Sequence, residues 1–449
     1  MFSFFALLFT NTPLKYFVQS MWRDEAFSYL LAKQNIIKIL LTTAKDANPP
    51  LYYLILHFWM GVFGTSEVAL RTLSFLFFLG TLYIAGMFLL EIFRFSVKKT
   101  LQYLLLFVLN PVLQYYAFET RMYSLFALFA VLSFYYLYKR KFRLYILFTI
   151  LGLYTHYFMI FAVLSQITYL IIIYKYKVLH YGAMYMKIGL LFIPWLILVV
   201  ISKPPIDQGF WIAKPNLFIY LNLPALLLTG YEDQYALLTY RLLPFLTIFL
   251  YGMIFYVIYK NVKSKKTRRM HIPNVQEQNS LGLYLFCWVV VPVLMILSIS
   301  FFKPLYLPRY IIFITVGLIF LLIFVLQKVH KPRLARLFFI LLFIASFFYS
   351  QMQVINRHRQ NLKRTLIEIN KSAGKKDYIY VTNELFFHTA QYYIPEKQVF
   401  IYGKNYEQIP WYVGKVLIPE DRLKSSLPVY PRKAYILKDD LSVTIQALY

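Results

Sequence analysis

Cysteine is almost missing from this chain: Cys287 is the one example in 449 residues, so no intrachain disulfide can form. It sits in an apolar run, where a free thiol packs as a small inert hydrophobe. Acidic residues are also few, 19 Asp and Glu against 47 Lys and Arg, and all four types together make only 15% of the sequence. No group of His and Cys has metal-ligand spacing, so no metal or cofactor is assigned from sequence, and a divalent cation stays open. Internal repeats and low-complexity stretches are lacking, which removes solenoid architectures. The N-terminus has neither a basic n-region nor a small-residue cleavage signal, so no signal peptide is expected.

In their place the chain carries apolar sequence, 60% of its residues against the roughly 45–50% of a soluble protein. The excess is spread over runs at about 1–20, 66–92, 100–114, 121–138, 144–154, 156–174, 188–202, 239–260, 282–302, 309–327 and 335–352. One buried soluble core cannot hold that many. A full crossing needs about 20 apolar residues. The pattern therefore predicts an α-helical polytopic membrane protein of about eleven transmembrane segments, with 144–154 and 156–174 short enough to be a bent or re-entrant pair. Aromatics at 20% suit lipid-facing and interfacial positions.

The formal charge of +28 would suit a nucleic-acid binder if it gathered on one folded face. It does not. Five short loops, 94–99, 139–143, 175–187, 260–269 and 328–336, hold 20 of the 47 basic residues and no Asp or Glu. That is the pattern of cytoplasmic loops. Eleven crossings put all five on one side, and the segments around 21–65, 115–120, 203–238 and 303–308 on the other. Eight of the ten acids before residue 353 then fall on the outer side: Asp24, Glu25, Asp46, Glu67, Glu119, Asp207, Glu232 and Asp233. Carboxylates at a membrane face are costly unless they meet water, a partner or a substrate, so the outer face reads as the working one. Residues 353–449 differ in composition, with an amphipathic helix at 354–372 and β-rich runs at 378–382, 398–402, 414–418 and 434–437. The expected organisation is a transmembrane catalytic domain, 1–352, with outer loops 21–65 and 203–238, and a small extracytoplasmic α/β domain, 353–449.

Three outer-side clusters carry chemistry. Trp22-Arg23-Asp24-Glu25 is followed by Asp46-Ala47-Asn48-Pro49-Pro50, and Leu51–Phe63 is expected to lie along the interface. Glu119-Thr120-Arg121-Met122-Tyr123 opens the 121–138 run, and Pro308-Arg309-Tyr310 opens the 309–327 run. Taken singly, these suit solvated loops and snorkelling interface residues. Together they bring carboxylates and arginines to one face. Arginine is suited to phosphate, since its planar fork can bond two oxygens.

At these positions the chain resembles glycosyltransferase family 39, the dolichyl-phosphate-mannose–protein mannosyltransferase group of the GT-C superfamily. The likeness rests on Asp24-Glu25-Ala26, then Asp46-x-Asn48-Pro49-Pro50-Leu51-Tyr52-Tyr53, then Gly64-x-Ser66-Glu67-x-Ala69-x-Arg71. Glu119-x-Arg121-Met122-Tyr123, His156-Tyr157-Phe158 and Pro308-Arg309-Tyr310 extend it over residues 20–330. It implies an inverting transfer of sugar from a polyprenyl- or dolichyl-phosphate donor to an extracytoplasmic acceptor (protein, lipid or cell-envelope glycan), at the cell membrane. Asp24 would be the catalytic base, with Glu25 and Asp46 in the catalytic set positioning acceptor or donor. Arg121 and Arg309 would face the phosphate, and Glu119, Asn48, Tyr123 and His156 would position substrate. The chain departs from the family pattern at Asn48, where a His is usual; Asn donates a hydrogen bond but carries no proton at neutral pH. Two rival classes remain. A transporter or flippase of lipid-linked glycans would show ionisable residues at span centres and inverted repeats, and a non-catalytic membrane scaffold would tolerate loss of Asp24.

Overall fold

The computed structural model describes residues 9–203, 212–230, 237–265, 274–357, 361–395 and 398–449. Asp207, Trp211, Glu232, Asp233, Lys266, Arg268 and Arg269 lie outside the described residues.

Most of the chain is a helical bundle. After a single helical turn come three short helices: α1 (Arg23–Ala32), α2 (Ile36–Lys45) and α3 (Leu51–Phe63). The bundle then continues through α4 (Glu67–Met87), α5 (Val97–Val108), α6 (Pro111–Ala117), α7 (Tyr123–Tyr138), α8 (Phe142–Leu153), α9 (Met159–Tyr174) and α10 (Gly182–Ser202). It closes with α11 (Leu223–Thr229), α12 (Leu237–Lys265), α13 (Asn274–Ser300), α14 (Ile312–Gln327) and α15 (Pro332–Asn356). Among the described residues, five helical stretches are long and apolar enough to cross a membrane: Glu67–Ile92, Val178–Ser202, Tyr240–Tyr259, Ser280–Ser300 and Pro332–Asn356. The apolar helices α3, α7, α8, α9 and α14 are shorter.

Helix α14 shows why short helices suffice. Apart from Thr315 and the terminal Gln327 its sixteen residues are apolar all round, and Ile312 through Ile319 are buried without a break. A helix of that pattern belongs at the centre of a bundle, not at its lipid surface. Gly317 lets the indole of Trp288 lie against it, since a Cβ there would stand 2.7 Å from the ring. Trp288 in turn stacks on Phe134 at 3.7 Å and donates from Nε1 to the Phe313 carbonyl. Helices at the bundle periphery differ: on α12, Phe245, Ile248 and Phe255 are all more than two-thirds exposed, as lipid-facing side chains must be.

Two expected runs break. The stretch 100–114 divides at Asn110, whose side chain caps the N-terminus of α6 ahead of Pro111, and proline is favoured in a first helical turn. The described part of 1–20 is not one continuous helix: a turn at 12–14, around Pro13, precedes a single helical turn at Lys15–Val18.

Past α15 lie α16 (Leu362–Ser372), β1 (Tyr378–Val381), α17 (Phe387–Tyr393), β2 (Gln398–Tyr402), β3 (Leu423–Lys424), β4 (Ala434–Leu437) and β5 (Val443–Gln446). The strand order is β3-β2-β1-β4-β5, parallel except for the β4–β5 pair. The run 414–418, expected as a strand, instead contains the 3₁₀ turn Lys415–Leu417. Gly414 sits at φ +83°, and a Cβ would meet Phe27 at 2.5 Å and His388 at 2.8 Å. Its left-handed backbone and lack of a side chain end any extended strand there.

This α/β unit is fastened to the segments flanking α1 and α4. Tyr393 accepts from the Met21 amide at 2.8 Å and donates to Glu67 at 2.7 Å. Tyr392 donates to the Thr65 carbonyl at 2.8 Å, and Lys363 pairs with Glu67 at 2.8 Å.

Candidate active site

The first turn of α1 carries Asp24 and Glu25, where carboxylates are favoured by the helix dipole. Consecutive side chains on a helix diverge by about 100°, so the two acids serve different neighbours. Glu25 is fully buried against Arg71 of α4, which donates to it from Nε at 2.8 Å and from Nη2 at 2.7 Å. Arg71 also donates to the carbonyls of Phe17 and Gln19, and Glu25 accepts the Thr120 amide at 3.0 Å. One buried ion pair thus ties the segment before α1, the start of α4 and the turn before α7.

Asp24 points the other way, into a cavity of about 330 Å³. Asp46, Asn48, Arg121, Tyr123, His156 and Arg309 line the same cavity. Seven residues chosen from sequence, drawn from four separate segments, therefore meet. Glu25 and Glu119 do not line it. Glu25 stands behind the wall on Arg71, and Glu119 is buried beside the turn that delivers Arg121.

The two cavity carboxylates are electrically unlike. Burial would raise Asp24, but the guanidinium groups of Arg23, Arg121 and Arg309 outweigh it and hold the carboxyl down at about 2. Arg23 supplies the contact, with Nε and Nη2 each 2.8 Å from Oδ1. Burial prevails at Asp46 and pushes it up to about 7, against the hydrogen bond from Asn48 and the charge of Arg121; the negative charge of Asp24 adds to the rise. Asn48, the departure from the family pattern, donates from Nδ2 to Asp46 Oδ2. A neutral amide donor is thus what the second-loop acid meets here.

Arg121 reaches Ser28 Oγ at 3.3 Å and Tyr53 Oη at 3.4 Å through Nη1, whereas its buried Nε has no hydrogen-bond partner among the described residues. Tyr123 lies 5.9 Å from the Arg121 guanidinium, and Tyr310 5.7 Å from that of Arg309. His156 stacks on Phe126 at 4.8 Å, and its Nδ1 accepts the Phe158 amide, which places the proton of the neutral ring on Nε2. Among the described residues no three His, Cys, Asp or Glu come together as a metal site.

Sequence reasoning missed one wall. Trp411, Tyr412, Val413 and Gly414 of the α/β unit close the cavity on the side facing α1. Tyr412 lies 5.8 Å from the Arg23 guanidinium, and His388 bonds the Gly414 carbonyl at 3.2 Å. The visible signal was Pro410-Trp411-Tyr412-Val413-Gly414, a turn with two large aromatics and a terminal glycine. Arg23, quoted as part of the first motif but given no role, is the second omission.

The helical membrane bundle and the small α/β unit packed on α1 together form a known fold. The chain is similar to the crystal structure of ArnT from Cupriavidus metallidurans in the apo state, with a TM-score of 0.62 and 12% identity over 97% of this chain and 93% of that one. No family model matches the chain, and no curated protein matches it in sequence.

Proposed function

We propose that the protein is an inverting glycosyltransferase of the family 39 type, taking its sugar from a polyprenyl-phosphate donor in the bilayer. The observation that carries the reading is one cavity holding an ionised carboxylate, Asp24, and two arginines, Arg121 and Arg309, on an ArnT-like fold. The acceptor hydroxyl attacks the anomeric carbon as its proton passes to Asp24. The glycosidic C–O bond to the phosphate breaks, and the guanidinium groups take up the charge that grows on the leaving oxygen. Trp411 and Tyr412 form the acceptor-side wall. Reconstitution with polyprenyl-phosphate sugars tests this: sugar should leave the lipid for an acceptor, and a purified protein that only moves the intact lipid-linked sugar across the bilayer would favour a flippase.

The same reading puts the cavity and residues 353–449 outside the cell membrane. In a Cys287→Ala background, a cysteine at the exposed position 440 should react with an impermeant maleimide in intact cells. One at position 265 should react only after permeabilisation, and the reverse pattern would invert the topology.

Replacing Arg121 or Arg309 with Ala should raise donor KM and lower kcat together. A lost charge-assisted hydrogen bond costs about 1.5–3 kcal/mol, or roughly 10- to 150-fold in kcat/KM. Arg→Lys should lose less if charge outweighs fork geometry. Unchanged kinetics in both Ala variants would leave these residues as interface anchors.

Asp46 sets the pH dependence. With its carboxyl at about 7, it is half protonated near neutrality and charged above. If its carboxylate receives a substrate hydroxyl, kcat/KM should climb about tenfold per pH unit below 7 and level off above. Asp46→Asn should be slower and flat from pH 6 to 8. An unchanged acid limb in that variant would assign the titration elsewhere.

A further inference from the structure

The far end of the bundle holds a second cavity, of about 420 Å³. Helix α14 connects the two. It begins at Ile312, three residues after Arg309, and ends at Gln327, which lines the second cavity beside Leu326 and Val329. Sixteen helical residues span roughly 24 Å, most of a bilayer core, so the two cavities lie at opposite membrane faces. Nothing in the proposed glycosyl transfer uses the second.

Its lining is divided by chemistry. Lys98, Lys99 and Arg336 stand with Ser96, Gln102 and Gln327, and among the described residues no acid lines the cavity. Tyr103, Leu326, Val329 and Phe339 supply an apolar floor. Lys99 is held over the Phe95 ring at 4.2 Å and within 5.9 Å of Tyr103, so its charge sits where the polar and apolar parts meet. Helices α5 and α15 both start here, and neither has an acid in its first turn, which adds to the positive potential. A free inorganic anion would satisfy the cations but leave the apolar floor against water. A lipid with a phosphate headgroup satisfies both.

We propose that this cavity binds the headgroup of an anionic phospholipid, with Lys98, Lys99 and Arg336 on the phosphate and the acyl chains along Tyr103 and Phe339. Such a site makes the enzyme's stability depend on lipid charge at the face opposite its chemistry.

Native mass spectrometry of the full-length protein, titrated with phosphatidylglycerol or phosphatidylcholine, tests it. Wild type should retain phosphatidylglycerol in preference. A basic residue near an anionic surface contributes about fivefold, so K98Q/K99Q/R336Q should lose on the order of a hundredfold in that retention. If the triple variant does not fold, K98Q and R336Q are read singly, each at about fivefold. The control is K371Q/K375Q/K376Q on the α/β unit, which removes equal charge elsewhere and should change nothing. Equal loss in the control would reduce the effect to net charge and overturn the site. So would retention unchanged in the cavity variants, or displacement of the lipid by millimolar inorganic phosphate.

Discussion

Asp24→Asn should yield a protein that folds, inserts and still binds donor, yet turns over about 10²–10⁴-fold more slowly, the range lost with a general base. Asparagine keeps the size of the side chain and can still accept a hydrogen bond from Arg23. What it loses is the capacity to take a proton. In the wild type Asp24 stays ionised across the physiological range, because three guanidinium groups oppose the effect of its burial. Its loss therefore differs in kind from any effect of acid in that range. The residual activity of Asp24→Asn should keep the limb near pH 7 that Asp46 confers, whereas Asp46→Asn should lose that limb and keep more of its rate. Steady-state turnover of purified variants with a polyprenyl-phosphate sugar measures both. A variant keeping more than about a tenth of wild-type turnover would pass the role of base to Asp46, whose carboxyl at about 7 is the better-matched acceptor. A scaffold protein would show no turnover in the wild type either.

The helical class of the fold was legible in the sequence because lipid imposes it: apolar runs must satisfy their backbone groups internally and so become helices. The convergence of Asp24, Asp46, Arg121 and Arg309 was legible as a shared face, since the charge pattern of the loops assigns the segments that carry them to the same expected side. The division of labour between Asp24 and Glu25 was not. Two adjacent acids carry the same sequence signal, and only the helical turn that separates them shows that one faces a cavity and the other Arg71. The wall at 411–414 was hidden for another reason. Its residues are over 350 positions from α1, and contacts of that separation are set by how the α/β unit docks, through Tyr392, Tyr393 and Glu67. The run 414–418 misled because Val416, Leu417 and Ile418 have strand-like composition while Gly414 and Pro419 at its edges forbid the strand.

The buried ion pair gives the largest expected change in stability. Glu25 and Arg71 are both fully removed from solvent, and each satisfies backbone groups that the other does not reach. Glu25→Gln leaves the fully buried guanidinium without its counter-charge. Removing one partner of such a pair typically costs about 3–5 kcal/mol, whereas replacing both by apolar residues of similar volume is often near neutral. Glu25→Gln should therefore lower the melting midpoint of the detergent-solubilised protein sharply and reduce its yield. Glu25→Leu combined with Arg71→Met should recover much of the loss, though not the bonds to Phe17, Gln19 and Thr120. The monodisperse fraction of Glu25→Gln separates a structural acid from a catalytic one. With Glu25 turned from the cavity, that fraction should keep donor KM and kcat within about tenfold of wild type, short of the loss expected for a missing base. A normal melting midpoint combined with abolished turnover would show that Glu25 takes part in the chemistry, and that the Arg71 pair opens during the reaction.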